Sequence, residues 1–197
     1  KRRNIGGQQL YIIFAAYHSF MESVVVNGKQ FVISIPESRI QERVRQIAAK
    51  MNEDLKGTKP VFLCVLKGSL LFASDVFREI NMEAEISFIR VSSYSGTQST
   101  GMVRSVAGIA DSLEGRTVVI LEDIVDTGDT AVYLVEEINK HNPERVLFAS
   151  LLFKPAALRQ KVNLDYVGFE VPNDFLVGYG LDYDGLGRNL KDIYKLA

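Results

Sequence analysis

Three stretches of this chain are apolar at nearly every position rather than at alternate ones: Val61–Leu66, Thr117–Leu121 and Arg145–Phe153. A strand reads that way when both of its faces are buried, as in a parallel sheet covered on each side by helices. Helical patterns lie between them. Ile40, Val44, Ile47, Ala48, Met51 and Leu55 recur at spacings of three and four, and Gly57 and Pro60 close the pattern. Leu70–Ile80 and Asp129–His141 read as further helices, and Ile86–Val91 and Tyr166–Phe169 as shorter strands. Strands that alternate with helices predict an α/β fold with a central, mainly parallel sheet and crossover connections. Only the two ends break the rhythm. Val24-Val25-Val26 and Phe31-Val32-Ile33 flank Asn27-Gly28, a pair suited to a type I′ hairpin turn. The ends are therefore expected to form a small lobe over the C-terminal edge of the sheet.

With 197 residues, one domain is expected, and a composition 47% hydrophobic and 24% charged is enough for a sizeable core. Disorder is excluded as the dominant state, because a disordered chain is poor in apolar residues. The formal net charge is −1, from 23 basic and 24 acidic residues. No general attraction to nucleic acid or to an anionic membrane follows from that balance, so any phosphate site must be built locally. No stretch approaches the roughly 18–20 apolar residues needed to span a bilayer. Cys64 is the single cysteine, which excludes an intrachain disulfide framework and a Cys-rich zinc site. Its apolar neighbours make it a buried small hydrophobe. His18 and His141 are far apart and are assigned to no metal.

The first residues are unusual. Lys1-Arg2-Arg3-Asn4 precedes the apolar run Leu10–Tyr17, the shape of a secretory signal, but no small-x-small cleavage site follows. Residues 1–20 are expected to be a non-native or extra N-terminal extension, with residues 21–197 a single domain of the cytoplasm. Residues 1–20 carry three basic and no acidic side chains, so the remainder is more acidic than the whole.

The most informative string is Val118-Val119-Ile120-Leu121-Glu122-Asp123-Ile124-Val125-Asp126-Thr127-Gly128-Asp129-Thr130. A buried strand ends in two carboxylates, and a short loop leads into a helix. Ligands of open α/β sheets bind beyond the C-terminal strand ends. A helix N-terminus offers free N–H groups and partial positive charge to a phosphate. Gly128 allows close backbone approach, and the Thr127 and Thr130 hydroxyls can donate to the same oxygens. Glu122 and Asp123 suit ribose hydroxyls or a divalent cation instead. Singly, these residues read as helix caps and solvated charges. Together they describe a site for a sugar diol, a phosphate and a metal. The string is neither a Walker A loop nor a G-x-G-x-x-G fingerprint.

This string resembles the phosphoribosyl pyrophosphate signature of type I phosphoribosyltransferases. The resemblance extends over about residues 21–195. Leu66-Lys67-Gly68-Ser69 is similar to the family's pyrophosphate loop, in which the Lys-Gly peptide is often cis, with Ser69 where Gly is common. Ser93-Tyr94, followed by Gln98-Ser99-Thr100-Gly101, is similar to its mobile catalytic loop. Phe153-Lys154-Pro155, Asp165–Pro172, Phe175–Tyr183 and Arg188-Asn189-Leu190 are similar to the purine-binding end of the hypoxanthine (guanine) members.

The resemblance implies purine salvage: transfer of the 5-phosphoribosyl group to hypoxanthine or guanine, giving IMP or GMP and pyrophosphate. It implies Asp126 as the general base at purine N7, with Ser93 and Tyr94 on the catalytic loop. Glu122 and Asp123 would hold the ribose hydroxyls, directly or through Mg²⁺. Asp126, Thr127, Gly128, Asp129 and Thr130 would hold the 5′-phosphate, and Lys67, Gly68 and Arg188 the pyrophosphate. Lys154, Phe175, Leu176 and Asp182 would face the purine, Asp182 also serving a second Mg²⁺. The Lys154 ammonium can only donate, which suits the O6 acceptor and mismatches the N6 amino group of adenine. Mg²⁺ is expected to be required, since the acidic pair alone would repel the substrate. Homodimers or homotetramers are implied, with no nucleic-acid or membrane partner. A xanthine-preferring relative and a non-catalytic regulator that binds phosphoribosyl pyrophosphate are the alternatives. Residues 92–107, long and polar, are expected to form a lid.

Overall fold

The computed structural model describes residues 23–94, 103–109 and 112–197. The chain runs β1 (Ser23–Val26), β2 (Lys29–Ile35), α1 (Glu37–Asp54), β3 (Val61–Leu66), α2 (Leu70–Arg78), β4 (Glu85–Tyr94), β5 (Val103–Ala107) and β6 (Thr117–Val125). It continues through α3 (Asp129–Asn139), β7 (Arg145–Phe153), a 3₁₀ turn (Pro155–Ala157), β8 (Tyr166–Glu170), β9 (Leu176–Val177) and β10 (Ile193–Leu196).

The large sheet has the order β5-β4-β3-β6-β7-β8. The pairs β4–β3, β3–β6, β6–β7 and β7–β8 are parallel, and β5 is antiparallel to β4. The reason for the continuous apolar runs is visible along β3. Phe62 and Cys64 pack with Ile40, Val44, Ile47 and Met51 of α1 and Phe72 and Val76 of α2. Val61, Leu63 and Val65 pack on the opposite face with Ala131, Leu134 and Ile138 of α3. Every strand position thus meets a helix layer, on one face or the other. The apolar face read for the first helix is the buried one: Ile40, Val44, Ile47, Ala48, Met51 and Leu55 are all in the core.

The small sheet, β1-β2-β10-β9, is antiparallel and joins the two ends of the described chain into a hood. Asn27 and Gly28 turn the β1–β2 hairpin with positive φ at both positions (47° and 76°), as a type I′ turn requires. Phe31, Val26, Val177 and Tyr194 form its own small core. Ile35, Leu176 and Ile193 reach into the main core, so the hood is continuous with the sheet domain.

Two expectations need correction. The strand expected to end at Leu121 continues to Val125, because Glu122, Ile124 and Val125 keep pairing with Ser150, Leu152 and Phe153 of β7. The acidic pair therefore sits within the strand rather than at its end. The polar stretch 92–107 is also not a plain loop. β4 runs on through Tyr94, and β5 returns beside it, with Ser93 opposite Arg104 and Tyr94 opposite Val103. An antiparallel edge ribbon needs backbone pairing and tolerates polar side chains, so its composition conceals it. Residues 95–102, the centre of the expected lid, lie outside the described residues, as do residues 1–22.

Leu121 is fully buried on the central strand β6. Leu121→Ala is expected to lower the unfolding free energy by about 2–5 kcal/mol, measured by urea denaturation.

Candidate active site

The sheet's winding reverses between β3 and β6. The chain leaves β3 for α2 and β4 on one side, and leaves β6 for α3 and β7 on the other. Adjacent parallel strands with diverging exits leave a crevice at their C-terminal ends. Lys67-Gly68 and Glu122–Thr130 line that crevice.

Gly68 lies directly on the Asp123 carboxylate. A Cβ at position 68 would sit 1.6 Å from Asp123 Oδ2, so any larger residue would have to displace that carboxylate. Asp123 Oδ1 accepts the Ile124 N–H at 2.8 Å. The cis peptide bond of this loop joins Leu66 to Lys67, one residue earlier than the Lys67–Gly68 bond that the resemblance implied. Ser69, where glycine is common in the family, is wholly buried. Its hydroxyl donates to Val65 O at 2.8 Å and contacts Cys64 Sγ at 3.2 Å, so it anchors the loop from beneath.

The phosphate-type loop follows. Gly128 precedes α3 with φ +85°, a left-handed conformation that favours glycine. It also packs tightly, since a Cβ there would meet Gln160 O at 2.8 Å. Thr127 O accepts the Arg159 and Gln160 N–H groups at 2.9 and 3.1 Å, so the segment after β7 braces the loop from behind. That brace was not legible in the sequence. The Thr127 hydroxyl donates to Asp129 Oδ2 at 2.9 Å, which draws the Asp129 carboxylate onto the loop itself. A cleft of about 90 Å³ opens here, lined by Asp126, Thr127, Gly128, Thr130 and Glu122 among others. First-turn N–H groups of a helix lack intrahelical acceptors and can serve an anion in such a cleft.

Asp126 and Lys154 come together although 28 residues separate them. Val125 pairs with Phe153 in adjacent parallel strands, and the Lys154 N–H donates to Val125 O at 2.9 Å. The side chains that follow meet, with Lys154 Nζ donating to Asp126 Oδ2 at 3.0 Å. Lys154 is only 7% exposed. A buried ammonium needs such a partner.

The remaining residues that the resemblance implied for the purine end come from the hood. Phe175 is half exposed and packs against Phe31 and Tyr183, with centroids 6.2 and 5.5 Å away. Leu176 is buried in β9. Asp182 pairs with Arg188 at 2.5 Å and accepts the Gly185 N–H at 2.7 Å. Arg188 also donates to Gly180 O at 2.6 Å, and its charge reaches Asp123. Ser93 and Tyr94 lie at the end of β4.

Among the described residues, no three His, Cys, Asp or Glu side chains form a ready-made cage for a metal. The donors nonetheless fit Mg²⁺. Glu122 and Asp123 are hard oxygen ligands, and Glu122 Oε2 is buried with no hydrogen-bond partner. Mg²⁺ typically takes one or two protein carboxylates beside substrate phosphates and water. Burial pushes the Glu122 carboxyl well above its ordinary 4.5, and the Asp123 charge pushes the same way. Burial also raises Asp123, against the Ile124 N–H and the Arg188 charge.

Residues 36–184 match the family model of the phosphoribosyl transferase domain. The chain is 40% identical over 159 residues to the hypoxanthine-guanine phosphoribosyltransferase of Bacillus subtilis (strain 168), covering 80% of this chain and 88% of that one. It is 37% identical over 189 residues to the bifunctional protein TilS/HprT of Listeria monocytogenes serotype 4b, covering 95% of this chain. The chain spans only 27% of the length of that relative. A crystal structure of a hypoxanthine-guanine phosphoribosyltransferase from Bacillus anthracis aligns with a TM-score of 0.74 at 35% identity, covering 84% of this chain and 96% of that one.

A carboxyl whose folded-state pKa is raised binds its proton more tightly when folded. Its contribution favours folding below the ordinary value and is lost as pH rises through the folded value. Glu122→Gln removes that loss. In metal-free buffer its melting temperature is expected to match the parent's near pH 4 and to exceed it near pH 8. The gap should be about 2–4 °C for each kcal/mol released. Scanning calorimetry at both pH values checks this, and a gap that does not grow with pH would contradict it.

Proposed function

The chain belongs to the phosphoribosyltransferase domain family, and from that premise we propose that it transfers the 5-phosphoribosyl group of phosphoribosyl pyrophosphate to hypoxanthine and guanine. The products are IMP or GMP and pyrophosphate. The observation that carries this reading is the Lys154–Asp126 pair, 3.0 Å apart at the adjoining ends of β7 and β6. A 6-oxopurine presents O6 and N7 side by side on one edge. Across this pair, the Lys154 ammonium donates to O6 and the Asp126 carboxylate stands at N7. Adenine offers an amino donor in place of O6, which Lys154 cannot accept.

A purine nitrogen forms the new bond to C1 as the C1–O bond to pyrophosphate breaks, and Asp126 takes the purine's proton. The oxocarbenium-like transition state needs positioning and charge stabilisation rather than a protein nucleophile. The Thr127–Thr130 loop at the start of α3 binds the 5′-phosphate. Lys67, Gly68 and Arg188 bind the pyrophosphate. Phe175 stacks on the base, and the Leu176 backbone meets the six-membered ring. Ser93 and Tyr94, at the end of β4, belong to the catalytic loop whose closure would exclude water. Glu122 and Asp123 would hold Mg²⁺ and Asp182 a second Mg²⁺, which would supply positive charge to neutralise the leaving pyrophosphate. No helix among the described residues is long and apolar enough to cross a membrane. The reading places the enzyme in the cytoplasm as a homodimer or homotetramer acting on small molecules.

The test is a Mg²⁺-dependent assay with hypoxanthine, guanine, xanthine and adenine in parallel. Turnover is expected with the first two, and turnover of no base would overturn the proposal. Asp126→Asn is expected to lower kcat by about 10²–10⁴-fold, the usual worth of a general base, in steady-state kinetics. Lys154→Ala is expected to raise KM for 6-oxopurines far more than for phosphoribosyl pyrophosphate, and equal effects on both would remove Lys154 from base reading.

A further inference from the structure

The pyrophosphate side of the site is assembled from two segments distant in sequence: the loop after β3, with Lys67 and Gly68, and the turn after β9, with Arg188. They touch through two glycines. A Cβ at Gly180 would sit 1.9 Å from Gly68 O, so the backbones are in direct contact. A glycine-to-glycine contact has no side chain to hold its register. Arg188 depends on that register, because Gly180 N donates to Arg188 O at 2.9 Å and Arg188 Nη1 donates back to Gly180 O at 2.6 Å. Any displacement of Gly180 carries Arg188 with it.

The neighbour of Gly180 supplies the anchor. Tyr179 is buried and has φ +47°, in the left-handed region that a residue with a Cβ adopts only when its surroundings hold it there. Its N–H donates to Leu190 O at 2.9 Å. Its hydroxyl reaches into the domain and donates to Asp75 Oδ2 at 2.6 Å. Gln41 of α1 donates to the same oxygen at 2.6 Å and fixes the carboxylate. Asp75 lies on α2, the helix that begins immediately after the Lys67–Ser69 loop. One helix therefore carries the first pyrophosphate segment at its N-terminus and the anchor of the second within its length.

We propose that Tyr179 is a positioning residue for pyrophosphate: its hydroxyl, held by Asp75 and Gln41, sets the turn that seats Gly180 on Gly68 and aims Arg188. The inference rests on the phosphoribosyltransferase reading above. It separates Tyr179 from an ordinary core aromatic, for which phenylalanine would serve equally well.

The test is calorimetric titration of the full chain with Mg²⁺-pyrophosphate and, separately, with GMP, which uses the purine and 5′-phosphate subsites. Tyr179→Phe is expected to weaken pyrophosphate binding about tenfold, the lower end of the worth of a hydrogen bond to a charged group. GMP binding should weaken by no more than about twofold, since Lys154, Asp126 and the Thr127–Thr130 loop that carry most of its contacts lie on β6, β7 and the start of α3 rather than on the turn. Asp75→Ala should reproduce the loss, and Asp75→Asn, which keeps the acceptor oxygen, should restore near-native binding. Adding Tyr179→Phe to Asp75→Ala should then cost little more. Native pyrophosphate affinity in Tyr179→Phe, or equal weakening of both ligands, overturns the positioning role alone. If Tyr179→Phe does not fold, the Asp75 pair decides: equal pyrophosphate affinity in the Ala and Asn variants overturns it. A native protein that binds neither ligand overturns the phosphoribosyltransferase reading and this inference with it.

Discussion

The site depends on the parallel pairing of β3 with β6, from Val61 opposite Val118 to Cys64 opposite Leu121. Parallel neighbours end on the same side of the sheet. Their exits diverge because α1 and α2 cover one face and α3 the other. The Lys67-Gly68 loop is thereby brought onto the acidic end of β6, where Gly68 rests against the Asp123 carboxylate. A larger residue there would have to push the carboxylate aside. The hood is then located by the same loop, through the Gly68–Gly180 contact.

Charge in the crevice is arranged against its burial. Glu122 and Asp123 are adjacent carboxylates whose burial raises both pKa values, and one Glu122 oxygen has no hydrogen-bond partner. A fold optimised only for stability would avoid this arrangement, and such local exceptions concentrate at functional sites. The cations are spent locally as well. Arg188 pairs with Asp182 while its charge also reaches Asp123, and Lys154 is paired with Asp126. A chain of near-zero net charge can in this way concentrate matched charges of both signs in one crevice.

Some of this was legible in the residues because it is local. The apolar face of α1 follows from its 3.6-residue period, and the hairpin at Asn27-Gly28 from φ values that few pairs adopt readily. The loop from Asp126 to Thr130 is also local, since a strand end, a glycine and a helix start are consecutive. The β4–β5 ribbon was not legible. Its polar residues carry no burial signal, and only the neighbouring backbone makes them strands. The continuation of β6 past the acidic pair to Val125 was hidden too, because the pairing with β7 outweighs the poor strand propensity of carboxylates.

Local patterns were enough for the layered α/β class, the two faces of the buried strands and the strand–loop–helix string from Val118 to Thr130. Each follows from steric and hydrophobic preferences acting over a few neighbouring residues. Tertiary structure alone decided which distant groups would meet. Lys154 reaches Asp126 only because β7 lies beside β6 in one register. Gly68 reaches Asp123 only because β3 is the other neighbour of β6. The Tyr179 hydroxyl finds Asp75 only because the C-terminal turn folds back over α2. These contacts depend on strand order and helix placement, which the packing of the whole chain selects and no local pattern encodes.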